Sequence, residues 1–185
     1  NARPHLRNIV HRTHSAELSM VFPSLPVKNQ RLLFNLIEDI EQRGILFREL
    51  DEDTFLALID KLEIDQVVRV LENMPTDDAA DIIGQLPEEL SSGILQKMGK
   101  EGSEQVEGLL RYDDDTAGGI MVPDFIALAE DTSAKGAIES LQTEYSDVEM
   151  PFYLYVVDEY GNLVGVSSLR QLVVVQPDTP LRDFM

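Results

Sequence analysis

A twelve-residue repeat is the feature that most limits what residues 50–110 can fold into. A second apolar position follows each of the first five repeat markers by eight residues, at Leu58, Val70, Ile82, Ile94 and Val106. Twelve residues accommodate a helix of about two turns and a tight turn, and a helix that short is marginal alone. Stacked units would bury the apolar stripe continuously, so the repeat predicts a helical solenoid. The markers themselves are Leu50, Leu62, Met74, Leu86, Met98 and Leu110.

The repeat also carries acidic residues. One lies three positions after each marker, at Asp53, Asp65, Asp77, Glu89, Glu101 and Asp113. In this register most of these carboxylates fall in the first helical turn, where the helix dipole stabilises them by about 0.3–1 kcal/mol. We therefore interpret most of them as structural.

One repeat unit, "MPTDDAADIIGQLP", contains three acidic residues, whereas the structural interpretation explains one per unit. With Thr76 as the expected N-cap, Asp77 and Asp81 lie four apart on one helical face, and Asp78 lies beside them. Like charges at this spacing oppose each other by a few tenths of a kcal/mol, roughly, and a bound cation would reverse that penalty. The spacing leaves two interpretations open, a solvated acidic face and a cation site.

The segments on either side of the repeat have other patterns. Val27 to Arg43 reads as one amphipathic helix with Gly44 at its C-terminal cap. After Pro123, "FIAL" predicts a strand, and Thr132 is the expected cap of a helix that runs to about Tyr145. "FYLYVVDEYGNLVGVSS" predicts two strands around a turn at 159–162, and a short helix follows from 169 to about 175. The order β-α-β-β-α is typical of a compact α/β unit.

Composition narrows the function classes. The formal charge is −19, of which residues 51–185 carry −21 and residues 1–50 carry +2. Such a field repels nucleic acid and attracts cations, so we expect no nucleic-acid partner. There is no cysteine, and the sequence shows no nucleophile and base at a spacing typical of an active site. We therefore do not expect the protein to be an enzyme.

Three stretches together resemble a known family. "LENMPTDDAADIIGQLPEEL" resembles the superhelical N-terminal domain of MgtE-type magnesium transporters, and "VVDEYGNLVGVSSLRQL" resembles the end of a CBS domain. "YDDDTAGGIMVPDFIAL" (112–128) resembles the joint between those two domains. The resemblance implies an α+β multidomain chain. Residues 1–117 would form a right-handed α-helical superhelix of short helices, and residues 118–185 a β-α-β-β-α CBS unit, the first of a pair.

The resemblance also implies a function. In this family the cytosolic part senses Mg²⁺, which holds acidic faces together and keeps the membrane pore shut. By this resemblance, the metal ligands of the N-terminal domain would be Asp77 and Asp81, and Asp78 would be the next candidate. CBS domains often bind adenine nucleotides, and the corresponding contacts for ATP here would be Tyr153 and Arg170. Gln171 stands where an acidic residue would usually hold the ribose.

Further expectations concern assembly and location. We expect a homodimer through the CBS unit, and a longer chain that adds a second CBS domain, a connecting helix and a membrane pore. The chain would then lie on the cytoplasmic side of the cell membrane. Two other function classes stay open: an adenine-nucleotide-sensing CBS module unrelated to metal transport, and a helical scaffold that binds a protein partner.

Overall fold

The structure, a computed structural model, describes residues 2–113, 115–143 and 152–185, with side chains from Pro4 onward. The chain divides into two compact units, Asn1–Met121 and Val122–Met185, and each is described by itself. The first unit is helical and the second contains a small sheet with helices, as the sequence predicts. The predicted domain boundary between residues 117 and 118 stays a prediction.

The first unit is a succession of short helices. In chain order they are α1 (Ala2–Arg12), α2 (Ser15–Val21), α3 (Val27–Phe34), α4 (Ile40–Glu49), α5 (Glu52–Ile59), α6 (Ile64–Leu71), α7 (Thr76–Gly84), α8 (Glu88–Lys97) and α9 (Lys100–Leu109). A 3-10 turn, Phe22–Ser24, follows α2. Helices α4 to α9 begin at intervals of twelve residues, which confirms the helical repeat.

The apolar stripe of the repeat forms the core of this unit. Leu58, Val70, Ile82, Ile94 and Val106 are all less than 5% exposed. Contacts run mainly between each helix and the second one along the chain, as in the pairs α4 with α6, α6 with α8 and α7 with α9. Because neighbouring units share the burial of each stripe, helices of eight to ten residues are stable here although they would be marginal alone.

Several helix starts have a simple local cause. The Asp51 side chain accepts a hydrogen bond from the Thr54 amide at 2.9 Å, which caps α5. The N-cap of α7 is Pro75, not Thr76 as predicted, and Thr76 is the first helical residue. The proline ring fixes φ at residue 75. Pro75 is extended and directly precedes the first helical residue. The prediction of Thr76 as the cap is therefore wrong by one residue.

The single helix predicted from Val27 to Arg43 is also wrong. The chain leaves the helical conformation after Phe34 and begins α4 at Ile40, where the Asp39 side chain caps the Glu41 amide at 3.0 Å. Arg43 Nε donates to the Ile37 carbonyl at 2.8 Å, so a backbone group left unpaired by the break is satisfied. Ile37 lies between the two helices and is buried in the core although it is not helical. The apolar pattern of the sequence therefore continues across the break.

Gly44 lies inside α4 instead of capping a helix. A Cβ atom at this position would lie 2.8 Å from Cγ of Met74. The glycine therefore allows the Met74 side chain to pack directly against the α4 backbone.

The second unit is a three-stranded sheet with helices. Its elements are β1 (Ala127–Ala129), α10 (Ala134–Thr143), β2 (Tyr153–Val157), β3 (Leu163–Ser168), α11 (Leu169–Val174) and a 3-10 turn, Leu181–Asp183. The strand order is β1-β2-β3, with β1 parallel and β3 antiparallel to β2. The predicted order β-α-β-β-α is confirmed.

Two details of the second unit refine the prediction. Ser133, not Thr132, caps α10, since its Oγ accepts a hydrogen bond from the Gly136 amide at 3.1 Å. Tyr145, the predicted end of that helix, lies outside the described residues. The turn at 159–162 is present, and Gly161 has φ of +80°, a conformation that favours glycine.

The two faces of the sheet differ in burial. Leu154 and Val156 of β2 are buried against a core that includes Ala137 and Leu172 from the helices. On the other face Tyr153, Tyr155 and Val166 are 40–65% exposed. The sheet therefore has one packed face and one open apolar face, and the residues of β2 alternate between them.

Candidate functional site

Helix α7 places Asp77 and Asp81 at the wall of one cavity, as their spacing predicts. The cavity has a volume of about 700 Å³ and lies entirely within the first unit. Helix α9 and the segment after it provide the remaining wall, through Leu109, Leu110, Tyr112 and Gly119–Met121. Asp77 is half-buried and Asp81 is exposed. Two carboxylates one helical turn apart on α7 therefore line the same cavity.

One carboxylate oxygen of Asp77, a residue that lines this cavity, lacks a partner among the described residues. Oδ1 of Asp77 is buried and has no hydrogen-bond partner among the described residues. A buried carboxylate oxygen without a partner is costly, and such an atom calls for a physical explanation. A hard cation supplies one, because Mg²⁺ prefers oxygen ligands and typically takes one or two carboxylates while it keeps several waters. The residues at this cavity therefore fit a partly hydrated Mg²⁺ ion.

Asp78, the third predicted metal ligand, is engaged elsewhere. Its Oδ2 atom lies 2.6 Å from Nη1 of Arg48 on α4, and it does not line the cavity. The ion pair neutralises one of the three neighbouring charges on α7. Asp77 and Asp81 are consequently the centre of the candidate site. Within residues 2–113, 115–143 and 152–185, no group of three or more His, Cys, Asp or Glu is placed to hold a metal ion.

Other acids of the repeat have structural partners. Oδ1 of Asp65 lies 2.5 Å from Nζ of Lys97, and this hydrogen-bonded ion pair lowers the pKa of Asp65 below its usual value. The hydrogen bond from the Thr54 amide also lowers the pKa of the Asp51 carboxyl, because it stabilises the ionised form of this helix cap. The ion pair agrees with the structural interpretation of Asp65, and Asp51, which directly follows a repeat marker, is structural as a helix cap.

The two predicted nucleotide contacts lie at the same end of the β2–β3 ladder. Tyr153 is paired with Ser168 across the ladder, and its side chain is 65% exposed. Arg170 follows two residues after Ser168, in the first turn of α11, and is exposed. An exposed ring for stacking and a guanidinium for phosphate are therefore both accessible here.

Gln171 has a structural role in place of a ribose contact. Its Oε1 atom accepts hydrogen bonds from the amide and hydroxyl of Ser168, at 2.9 and 3.0 Å. Its Nε2 atom donates to the Phe184 carbonyl at 2.7 Å. Gln171 thus fastens the start of α11 to the last residues of the chain, and its polar atoms are already engaged.

Two contacts around the candidate site were not predicted from the sequence. Arg48 lies 30 residues before Asp78, and no periodicity connects them. The segment Gly119–Met121 was interpreted only as part of a domain joint, although it also lines the cavity. Its unusual composition was the available signal, but composition alone does not show which wall it forms.

No helix in the described part of the chain has both the length and the apolar character needed to cross a membrane.

Comparison with protein families and curated proteins identifies relatives for both units. The family model for the MgtE intracellular N domain matches residues 13–115, and that for the CBS domain matches residues 117–176. A magnesium transporter MgtE from Thermus thermophilus is 42% identical over 81 residues, which are 44% of this chain and 18% of that protein. The MgtE of Bacillus subtilis is 26% identical over 181 residues, which are 97% of this chain and 40% of that protein. The chain thus spans less than half the length of either relative.

Two solved structures share the fold. The crystal structure of the cytosolic domain of the Mg²⁺ channel MgtE in complex with ATP superposes with a TM-score of 0.89 at 26% identity. The match covers 96% of this chain and 72% of that one. The crystal structure of the soluble part of a magnesium transporter gives a TM-score of 0.66 at 25% identity, over 98% of this chain and 76% of that one.

Proposed function

This chain belongs to the MgtE family, and we propose that it is the Mg²⁺-sensing regulatory region of a membrane magnesium transporter. In this proposal Mg²⁺ binds at Asp77 and Asp81 when its concentration is high and stabilises a closed arrangement of the cytosolic domains. When Mg²⁺ is scarce, repulsion among the carboxylates favours an open arrangement and the pore can conduct. The region lies on the cytoplasmic side of the membrane and catalyses no reaction.

The observation that carries the proposal is Asp77, which lines the same cavity as Asp81 and whose buried Oδ1 atom has no hydrogen-bond partner among the described residues. The net charge of −21 on residues 51–185 supports it, because such a surface concentrates divalent cations. Two states that differ in cation affinity are sufficient for an ion to shift the population between them. The other parts of the transporter would supply the remaining ligands.

Thermal melting of the 185-residue chain tests the metal site. At a Mg²⁺ concentration about tenfold above Kd, we expect a stabilisation of about 1.4 kcal/mol, equivalent to a Tm increase of about 3–6 °C. The double variant Asp77→Asn/Asp81→Asn should lose this increase. Glu88→Gln/Glu89→Gln, in the first turn of the next helix, should keep it and is the matched control. Asp78→Asn should also keep it, because Asp78 is paired with Arg48.

NaCl at the same ionic strength distinguishes binding from screening. If NaCl reproduces the Mg²⁺ effect, or if the double variant responds like the wild type, the site at Asp77 and Asp81 is refuted.

A second ligand is favoured by the exposed Tyr153 ring and by the exposed Arg170 near it in the fold. We propose that adenine nucleotide, as Mg-ATP, binds to the second unit there, with the ring stacked on the base. Calorimetric titration of Mg-ATP should give a weaker affinity for Tyr153→Ala by about five- to 150-fold, because base stacking contributes about 1–3 kcal/mol. Tyr160→Ala, at an 80% exposed tyrosine of the turn at the opposite end of the β2–β3 ladder, is the control. Absence of binding to the wild type at millimolar Mg-ATP would exclude this ligand.

A further inference from the structure

Arg43 on α4 and Arg69 on α6 are two arginines of the first unit that form no ion pair with any residue that the structure describes. Each donates one hydrogen bond to a backbone carbonyl through Nε. Arg43 donates to Ile37 at 2.8 Å, and Arg69 donates to Asp65 at 3.1 Å. The Nη atoms of both guanidiniums are therefore available as donors to a ligand.

The loop between α3 and α4 borders both arginines. Oδ1 of Asn35, the C-cap of α3, accepts a hydrogen bond from Nε2 of Gln66 on α6 at 3.1 Å. Gln66 and Arg69 are three residues apart and lie on the same face of α6. Ile37 of the same loop holds Arg43, and α4 packs against α6. The two arginines are consequently close enough for their positive charges to interact.

The Arg43 guanidinium is half-buried and held in one orientation. Its Cζ atom lies over the fully buried ring of Phe34, 5.0 Å from the centroid, while Ile37 fixes its Nε. Burial and the neighbouring charge of Arg69 lower the pKa of Arg43. Both causes disfavour the charged form of Arg43, and an anion between the two guanidiniums would oppose both.

Most acidic residues near these arginines are engaged elsewhere. Five lie within five residues of Arg43 or Arg69 along the chain. Four have other partners: Glu38 pairs with Arg7, Asp39 caps α4, Asp65 pairs with Lys97, and Glu72 accepts from the Gly99 amide. The fifth, Glu41, precedes Arg43 by two residues in α4, and side chains two apart on a helix do not face each other. Asp65 thus shares one negative charge between Lys97 and Arg69.

We propose that Arg43 and Arg69 together bind a phosphate-type oxyanion that links α4 to α6. Guanidinium Nη atoms form paired hydrogen bonds with the oxygens of such an anion, and their planar arrangement matches phosphate. The bound anion replaces repulsion between the two arginines by attraction to each, and it therefore stabilises the first unit. Free inorganic phosphate and the headgroup of an anionic phospholipid both offer this chemistry. The site uses no residue of the proposed cation site and does not depend on it.

Calorimetric titration of the 185-residue chain with inorganic phosphate, in buffer without divalent cations, tests this site. Arg69→Gln should weaken phosphate binding by about tenfold or more, because charge-assisted hydrogen bonds are lost. The variant keeps the contacts of Arg43 with Phe34 and Ile37. Arg43→Lys, which keeps the charge but loses the planar pair of donors, should also weaken binding. Arg31→Gln, at an exposed arginine of α3, is the matched control and should bind as the wild type does.

Thermal melting separates the site from the general stabilisation that phosphate gives to folded proteins. Phosphate should raise the Tm of the wild type more than that of Arg69→Gln, whereas NaCl of matched ionic strength should shift both equally. Co-sedimentation with vesicles of phosphatidylglycerol, compared with vesicles of phosphatidylcholine, tests the lipid source. Selective binding to phosphatidylglycerol that Arg69→Gln loses would assign the site to a headgroup.

Equal phosphate affinity in the wild type and in Arg69→Gln would overturn the site. An equal loss of affinity in Arg31→Gln would also overturn it, because the effect would then follow from net charge alone. A wild type that binds neither millimolar phosphate nor phosphatidylglycerol vesicles would overturn it for both sources of the anion.

Discussion

At the residue scale, equivalent positions of the repeat have acquired different roles. Asp65 and Asp77 both follow a repeat marker by three residues and both lie in the first turn of a helix. Asp65 is paired with Lys97 on α8, whereas Asp77 lines a cavity and has a buried oxygen without a partner among the described residues. The neighbours from other helices, which the repeat does not specify, determine the difference.

The Asp65–Lys97 pair gives a prediction for pH dependence. The folded-state pKa of Asp65 is lowered from 3.8, so its contribution to stability is present above that pH and is lost as the pH falls through the folded-state value. Asp65→Asn should therefore have a lower Tm than the wild type at pH 7, and the difference should shrink as the pH falls below 3.8. Melting curves between pH 7 and pH 2 measure it. Asp53→Asn, at the same position one repeat earlier, is the matched control. Parallel profiles for Asp65→Asn and wild type would refute the ion pair as the cause.

At the element scale, the helices of the repeat are unequally buried. Helix α6 buries Val67, Val68, Val70 and Leu71, whereas the buried set of α8 is Ile94 alone. Helix α8 is longer than α6 but buries fewer side chains, so the packing of α8 depends strongly on Ile94, its residue in the apolar stripe. Helix α8 contacts α6, and Lys97 at its end holds Asp65 of that helix.

We therefore expect Ile94→Ala to destabilise the chain markedly. Ile94 is 1% exposed, and truncation of such a side chain typically costs about 2–5 kcal/mol through lost burial and a cavity. Urea denaturation followed by circular dichroism measures the loss. Leu32→Ala, at a residue that is 38% exposed, should cost about 0.5 kcal/mol or less. A similar cost for both variants would show that the stripe does not hold α8 in place.

At the scale of the whole molecule, the open sheet face of the second unit is the feature that favours self-association. Tyr155 of β2 and Val166 of β3 are paired across the ladder, and each is about 40% exposed. The Phe125 ring lies edge-on against Tyr155, with centroids 5.7 Å apart, and is 56% exposed. Exposed aromatic and branched side chains that form one continuous surface mark an interaction site more often than scattered ones do.

This surface provides the test of the predicted homodimer. Val166→Asp introduces a charge at its centre and should convert a dimer into a monomer, since a buried unpaired charge is strongly unfavourable. Analytical ultracentrifugation of the wild type and the variant measures the change in mass. Ile9→Asp, at a residue of α1 that is 47% exposed, should leave the dimer unchanged. A monomeric wild type, or a Val166→Asp variant that remains dimeric, would refute dimerisation through this face.

Local and periodic features of the sequence determined much of this protein. The twelve-residue spacing predicted where helices α5 to α9 begin, because each unit buries the apolar residue that follows its marker by eight positions. The turn between β2 and β3 was likewise predicted, since Asp158 accepts hydrogen bonds from the Tyr160 and Asn162 amides within five residues. The helical separation of Asp77 and Asp81 was equally readable, because four residues advance a helix by about one turn.

Only the tertiary structure decided how distant segments combine. Arg48 pairs with Asp78 from another helix, Tyr112 packs on Gly118, and Gly119–Met121 line the same cavity as Asp77 and Asp81 of α7. The break between α3 and α4 also required the tertiary structure. The apolar pattern is unbroken there and does not show that Ile37 reaches the core from a non-helical position. Periodicity specifies which face of an element is apolar, whereas the partner of each polar side chain depends on how the elements pack in three dimensions.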